Sequence, residues 1–180
     1  MKKLIFIGPL SFFEPGPTID GIGPGKNGIY LWCVKDHDST YRVHYVGESF
    51  DVASRLRDHR KAQLLGQYVA FDPDGLRENI KILMHRAGKG MIEKYSSLER
   101  KEVNHKYLSA ISVFYADLGC EADKGLRCRY EYALYTTVED HGQNILHVGH
   151  LRSSADEPHD VVVETPGVNI EGLSNAVLRV

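Results

Sequence analysis

Residues of this chain whose types could do chemistry include Tyr30, Tyr45, Arg55, His59, Glu131 and Asn144. Tyr30 lies in the run Ile29-Tyr30-Leu31-Trp32-Cys33-Val34, and Tyr45 in Tyr41-Arg42-Val43-His44-Tyr45-Val46-Gly47. Arg55 and His59 are four residues apart, so a helix projects both from one face. A guanidinium is always charged and forks onto phosphate oxygens. At Arg55 it faces either such a group or Asp51, one turn earlier. A phenol with a pKa near ~10 is a poor base unless a cation lowers it. A carboxylate such as Glu131 is a hard ligand suited to Mg²⁺ or Mn²⁺, although most glutamates on helices simply face solvent. Asn144 follows Gly142 and either fixes geometry near Glu131 or closes a turn.

The elements that must position these residues follow from periodicity. The two β-rich runs flank the polar stretch Lys35 to Thr40, which reads as an antiparallel hairpin. A period of 2 puts Tyr30, Trp32 and Val34 on one face, and Ile29, Leu31 and Cys33 on the other. After Gly47 the period changes, and Val52/Leu56 and Arg55/His59 predict a helix to about Leu65, ending at Gly66 and capped by Ser49 or Asp51. Leu76, Ile80, Leu83 and Met84 recur at helical spacing, up to the Gly88-Lys89-Gly90 break. Met91 to Leu108 is a further, charge-rich helical stretch. Ile111 to Leu118 reads as the third strand of the sheet. Leu126 to Asp140 is helical with Tyr130, Leu134 and Val138 on one stripe, and Gly142 stops it. Asn144 to Leu146 is a short extended piece, and Gly149 to Pro158 a polar loop. Val161 to Val163 is a short strand, followed by a tail over Val168 to Val180. Residues 3–8 are expected to form a first strand rather than a signal peptide, because the apolar run stops at Gly8-Pro9. The Gly- and Pro-rich loop over residues 14–27 leads into Tyr30 and borders it; it precedes a strand, the wrong order for a phosphate cradle. The expected fold class is α/β: a small, mainly antiparallel central sheet of three or more strands flanked by helices. It occupies one domain over residues 1–180, with core segments at about 28–66 and 111–146, a helical insertion at about 67–110 and a C-terminal extension at about 147–180.

Gly28-Ile29-Tyr30, Tyr45-Val46-Gly47 and Arg55, eight residues past Gly47, together resemble the start of the GIY-YIG nuclease family. The resemblance covers roughly residues 28–146. It implies a metal-dependent endonuclease that leaves 5′-phosphate and 3′-hydroxyl ends on double-stranded DNA. Under it Glu131 is the ligand of Mg²⁺ or Mn²⁺, and Arg55 holds the scissile phosphate. Tyr30 is the general base or the group that positions water, and Tyr45 bonds the water or the phosphate. His59 relays a proton from Tyr30 or contacts a phosphate oxygen. Three departures stand out. The Tyr30–Tyr45 linker is longer than usual, the Arg55–Glu131 separation is long, and Glu48 puts a second carboxylate after Gly47, where it repels phosphate or turns away. The charged 91–108 stretch is either a solvated helix face or an inserted element that meets DNA backbone or a partner subunit. With no appended DNA-binding module, recognition falls to the insertion and the tail, which suits a small restriction-type enzyme acting as a homodimer.

Composition narrows the classes. The net charge is −2 over 180 residues, with a pI near 6.5, so there is no overall basic footprint for nucleic acid, and local Lys/Arg clusters must make any phosphate contacts. That balance, with Glu48, also fits the alternative: a catalytically silent nucleic-acid-binding module on the same scaffold. Three cysteines without a CxxC pair argue against zinc and for reduced thiols in a cytoplasmic protein. No apolar run approaches membrane-spanning length.

Overall fold

The computed structural model describes residues 2–85, 97–146 and 159–180. The chain starts with β1 (Lys2–Ile5) and β2 (Ile7–Ser11), so the expected first strand is in fact two. They separate at Phe6 because they serve different sheets. β3 (Gly28–Lys35) and β4 (Tyr41–Ser49) then form the expected hairpin. α1 spans Val52–Leu64, its first turn closed by Asp51, whose carboxylate accepts the Ser54 N–H at 3.0 Å. Gly66 takes a left-handed φ of 72° just past its end, as a helix stop requires.

The chain departs from expectation in the next stretch. β5 (Ala70–Phe71) leads into α2 (Pro73–Arg77), a single short helix, and the chain then extends into β6 (Leu83–His85), which pairs with β5. The helical spacing of Leu76, Ile80, Leu83 and Met84 is therefore not used. Asp72 caps the helix and Pro73 opens it, but Asn79 adopts φ 61° and turns the chain out of helical geometry. The Gly88-Lys89-Gly90 break, residues 91–96 of the charged stretch and the 149–158 loop lie outside the described residues. α3 (Ser97–Ser109) follows, then β7 (Ile111–Asp117) and α4 (Lys124–Asp140), whose N-terminus is capped by Asp123. β8 (Asp160–Glu164) and β9 (Val177–Arg179) complete the chain.

The fold is α/β. Its central sheet has the order β2-β7-β3-β4, antiparallel throughout, and a second sheet has the order β1-β8-β9. Both faces of the central sheet are buried. Ile29, Leu31 and Cys33 look into a core closed by Tyr130, Leu134 and Val138 of α4 and by Val161 and Val163 of β8. Tyr30, Trp32 and Val34 look the other way, into a core closed by Val52 and Leu56 of α1 and by Tyr107 and Leu108 of α3. The stretch expected as a helical insertion thus contributes α3 to a core, while the outer side of α3, with Lys101, Glu102 and Lys106, is a solvated face. Gly28 permits the close approach of β3 to β7: a Cβ there would sit 1.9 Å from the Ala116 carbonyl oxygen. No described helix is long and apolar enough to cross a membrane, and all three cysteines are free.

Candidate active site

Tyr30 sits in the middle of the sheet with its ring fully buried and its hydroxyl 2.9 Å from His59 Nε2. It can do so because Gly47, directly opposite on β4, has no side chain. A Cβ at Gly47 would lie 2.5 Å from the Tyr30 hydroxyl and 2.8 Å from the Tyr45 ring. The glycine is thus required by the two tyrosines on either side of it rather than by its own backbone.

Tyr45 reaches the same face through a β-bulge. Trp32 pairs with Tyr45 but Cys33 pairs with Val43, so His44 is the extra residue on β4. The bulge aims two successive side chains at one side. Tyr45 packs against Tyr30 and Trp32, with ring centroids 6.0 and 5.5 Å away, and His44 packs against Phe71 and Tyr107. Arg55 and His59 come down from one face of α1, as their spacing predicts. The His59 ring stands 5.9 Å from those of both Tyr30 and Tyr45. Arg55 is exposed and forms no ion pair among the described residues; its guanidinium instead bears on the Tyr30 hydroxyl. The alternative partner, Asp51, is engaged in capping Ser54.

Glu131 arrives from the other side of the sheet. α4 covers the aliphatic face, and β4 is the edge strand, so Glu131 meets the site at that edge, beside Glu48 and within electrostatic reach of Tyr45. Burial and the Glu48 charge push its carboxyl up to about 7, while the Glu48 backbone N–H pulls the other way. Glu48 is itself neutralised. Arg127, one turn before Glu131 on α4, donates from Nε to Glu48 Oε2 at 2.6 Å and from a terminal nitrogen to Asn27 Oδ1 at 3.0 Å. Asn27 in turn holds the Gly119 and Ala122 carbonyls, so the loop before Tyr30 borders the site as expected. Asn144 stands apart. It is exposed, its backbone N–H donates to Asn79 Oδ1 at 2.7 Å, and it lines a small recess with Val34 and Arg42 near the turn end of the hairpin, away from Glu131.

The protonation states follow from the surroundings. Burial drives the Tyr30 phenol well above its ordinary value, with Tyr45 adding to the shift and Arg55 opposing it. Burial and the Arg55 charge push His59 down to about 4, so its imidazole is neutral at neutral pH. A protonated phenol therefore faces a neutral imidazole, and Tyr30 O–H donates to His59 Nε2 when Nδ1 carries the ring proton. Alone, Tyr30 would be a poor base, and the ring placed to take its proton is itself held down by burial and Arg55; an anion on Arg55 would offset that charge and favour the transfer.

Among the described residues no three His, Cys, Asp or Glu side chains gather as a metal cluster. A Mg²⁺-type site needs only one or two carboxylates, since the ion keeps most of its waters. Glu131 fits that description, because a buried carboxyl raised by a neighbouring carboxylate is one whose ionised form a cation would stabilise. Sequence reasoning missed Arg127 and Asn27, although Arg127 sits four residues before Glu131 on the same helix. It also missed Trp32, Gln63, Tyr68 and Tyr107, which line a cavity beside Arg55 and come from separate elements with no shared period. No family model matches this chain, and neither a curated protein nor a solved structure does.

Proposed function

We propose that this chain is a metal-dependent DNA endonuclease of the GIY-YIG type, hydrolysing phosphodiester bonds of double-stranded DNA. One observation carries the reading. Tyr30, Tyr45, Arg55 and His59 come from three elements to one side of the sheet, and Glu131, from the other side, lies within electrostatic reach of Tyr45 on the edge strand, while Arg55 has no ion pair among the described residues. Such a constellation meets the three demands of phosphodiester hydrolysis: a deprotonated and aimed water, offset charge on the phosphoryl oxygens, and a stabilised leaving alkoxide.

In this mechanism Arg55 clamps the scissile phosphate with its forked donors. Tyr45 orients the water or a phosphate oxygen beside it. Tyr30 takes the water proton as its own moves to His59 Nε2. Ionised Glu131 would hold Mg²⁺ or Mn²⁺, and the ion would supply Lewis-acid stabilisation of developing negative charge. Arg127 keeps Glu48 from repelling the substrate. Asn144 has no part in this scheme. Two strands need two such centres, so a homodimer is the expected working form; sedimentation with duplex that gives only monomer overturns it.

The deciding experiment is cleavage of supercoiled plasmid in Mg²⁺ or Mn²⁺, wild type beside Glu131→Ala, with an EDTA lane. Cleavage lost in the variant and in EDTA is expected, and discrete fragments would make the enzyme restriction-type. Folded wild type that leaves methylated and unmethylated plasmids intact in both metals overturns the nuclease reading and favours the silent binding module.

A further inference from the structure

We infer that the cavity beside Arg55 is a nucleobase subsite: it takes the base of the nucleotide whose phosphate Arg55 clamps, out of its stack. The inference rests on the nuclease reading for the phosphate and on the cavity for the base. The cavity encloses about 320 Å³, at the lower end of the ~300–1,000 Å³ typical of small-molecule pockets. Its wall is built from rings: Trp32, Tyr45, His59, Tyr68 and Tyr107. His59 stands between two of them, with its centroid 5.3 Å from Trp32 and 5.6 Å from Tyr68. Tyr68 is 39 % exposed at this rim, a large ring left uncovered next to Arg55, which has no ion pair among the described residues.

That combination selects for a planar ring joined to an anion. A base–aromatic stack tolerates any of the four bases, because each has a π face. Arg55 contributes to the same wall as the rings, so a phosphate on the guanidinium places its own sugar and base at the cavity mouth. The polar wall is already committed. Gln63 donates its carboxamide N–H groups to Val69 O at 3.0 Å and Asn104 Oδ1 at 2.6 Å, and Tyr107 O–H meets His44 Nε2 at 2.8 Å. The Trp32 indole N–H is sealed from water and has no acceptor among the described residues, the one buried side-chain donor of this lining left over. With few free polar groups, the cavity reads a ring by stacking rather than by its hydrogen-bonding edge.

Trp32 is the only tryptophan in the chain, so its indole gives one amide-spectrum cross-peak and the whole tryptophan fluorescence. The experiment titrates metal-free, ¹⁵N-labelled protein with the four nucleoside 5′-monophosphates and, separately, with ribose 5-phosphate. The nucleotides should move the Trp32 indole peak and quench its emission saturably, and ribose 5-phosphate should do neither. Tyr68→Ala should weaken nucleotide binding about tenfold, and Tyr68→Phe, which keeps the ring, should retain it. Equal responses to nucleotides and ribose 5-phosphate overturn the subsite, as does the absence of any response to all four nucleotides at millimolar concentration. Because no metal or cleavage enters, the two readings fail separately. Base binding by a protein that cuts no DNA keeps the cavity and removes the nuclease; cleavage without base binding does the reverse.

Discussion

The two faces of the central sheet share every strand and differ in almost everything else. β3 feeds both, sending Ile29, Leu31 and Cys33 one way and Tyr30, Trp32 and Val34 the other, and β7 does the same with Phe114 and Ala116 against Val113 and Tyr115. The face under α4 is largely aliphatic, and its packing needs few polar partners. The face under α1 and α3 carries hydroxyls and imidazoles that must be satisfied inside a core: Tyr30 by His59, and His44 by Tyr107. Burial on the first face yields stability directly through area removed from water. Burial shifts titration on both, raising Cys33 and Tyr130 on the first face, but on the second it acts on groups that hydrogen-bond one another, holding His59 and His44 neutral and Tyr30 protonated. One face thus serves as a foundation, while the other converts burial into reactivity.

Substitutions can break that division. Glu131→Gln, at the edge where the faces meet, should lower cleavage by about 10³-fold. It should also raise the melting temperature at pH 8. The folded carboxyl, raised to about 7, holds a proton that the unfolded one releases near 4.5, so this group's contribution to stability falls as pH rises through that window. Glutamine removes the loss, and calorimetry at pH 8 and pH 5 should show the gain only at the higher value. On the aliphatic face, Leu134→Ala should cost about 2–5 kcal/mol in denaturant titration, while the folded fraction cleaves at close to the wild-type rate. A comparable loss of turnover in well-folded Leu134→Ala would end the comparison. Tyr30→Phe should invert that pattern, with cleavage down about 10²-fold and stability reduced by no more than about 1–3 kcal/mol for the bond His59 loses. Gly47→Ala should crowd both tyrosines, costing about 1–3 kcal/mol and cutting turnover with it. The smallest effect sharpens the edge itself. Millimolar Mg²⁺ should raise the melting temperature of wild type by a few degrees at pH 8 and leave Glu131→Gln unmoved.

Much of the frame was legible because local signals agreed. Alternation in β3, the Asp51 cap, the i, i+4 pair on α1 and the Tyr130-Leu134-Val138 stripe each point to the element that forms. The stretch from Leu76 to Met84 was not legible, since short apolar runs suit helix or strand and one left-handed residue, Asn79, decides between them. The meeting of Tyr30, Tyr45, Arg55, His59 and Glu131 was expected only through their motif-like order. Glu131 was open between ligand and solvated helix face, and Glu48 between repelling phosphate and turning away; the Glu48 partner, Arg127, lies 79 positions further along the chain. Asn144 matched by order alone, and its surroundings belong to the turn end of the hairpin. The cavity was invisible because Trp32, Tyr68 and Tyr107 are ordinary apolar positions of separate elements until the chain folds.

The bulge in β4 has a consequence for how α3 is fastened. Trp32 pairs with Tyr45 and Cys33 with Val43, and His44 stands between the two pairs without a partner of its own on β3. Its imidazole is also the polar link to Tyr107 on α3. The extra residue of the hairpin and α3 therefore form a single joint, peg and socket. A chain that lost one would be left holding a part made for the other.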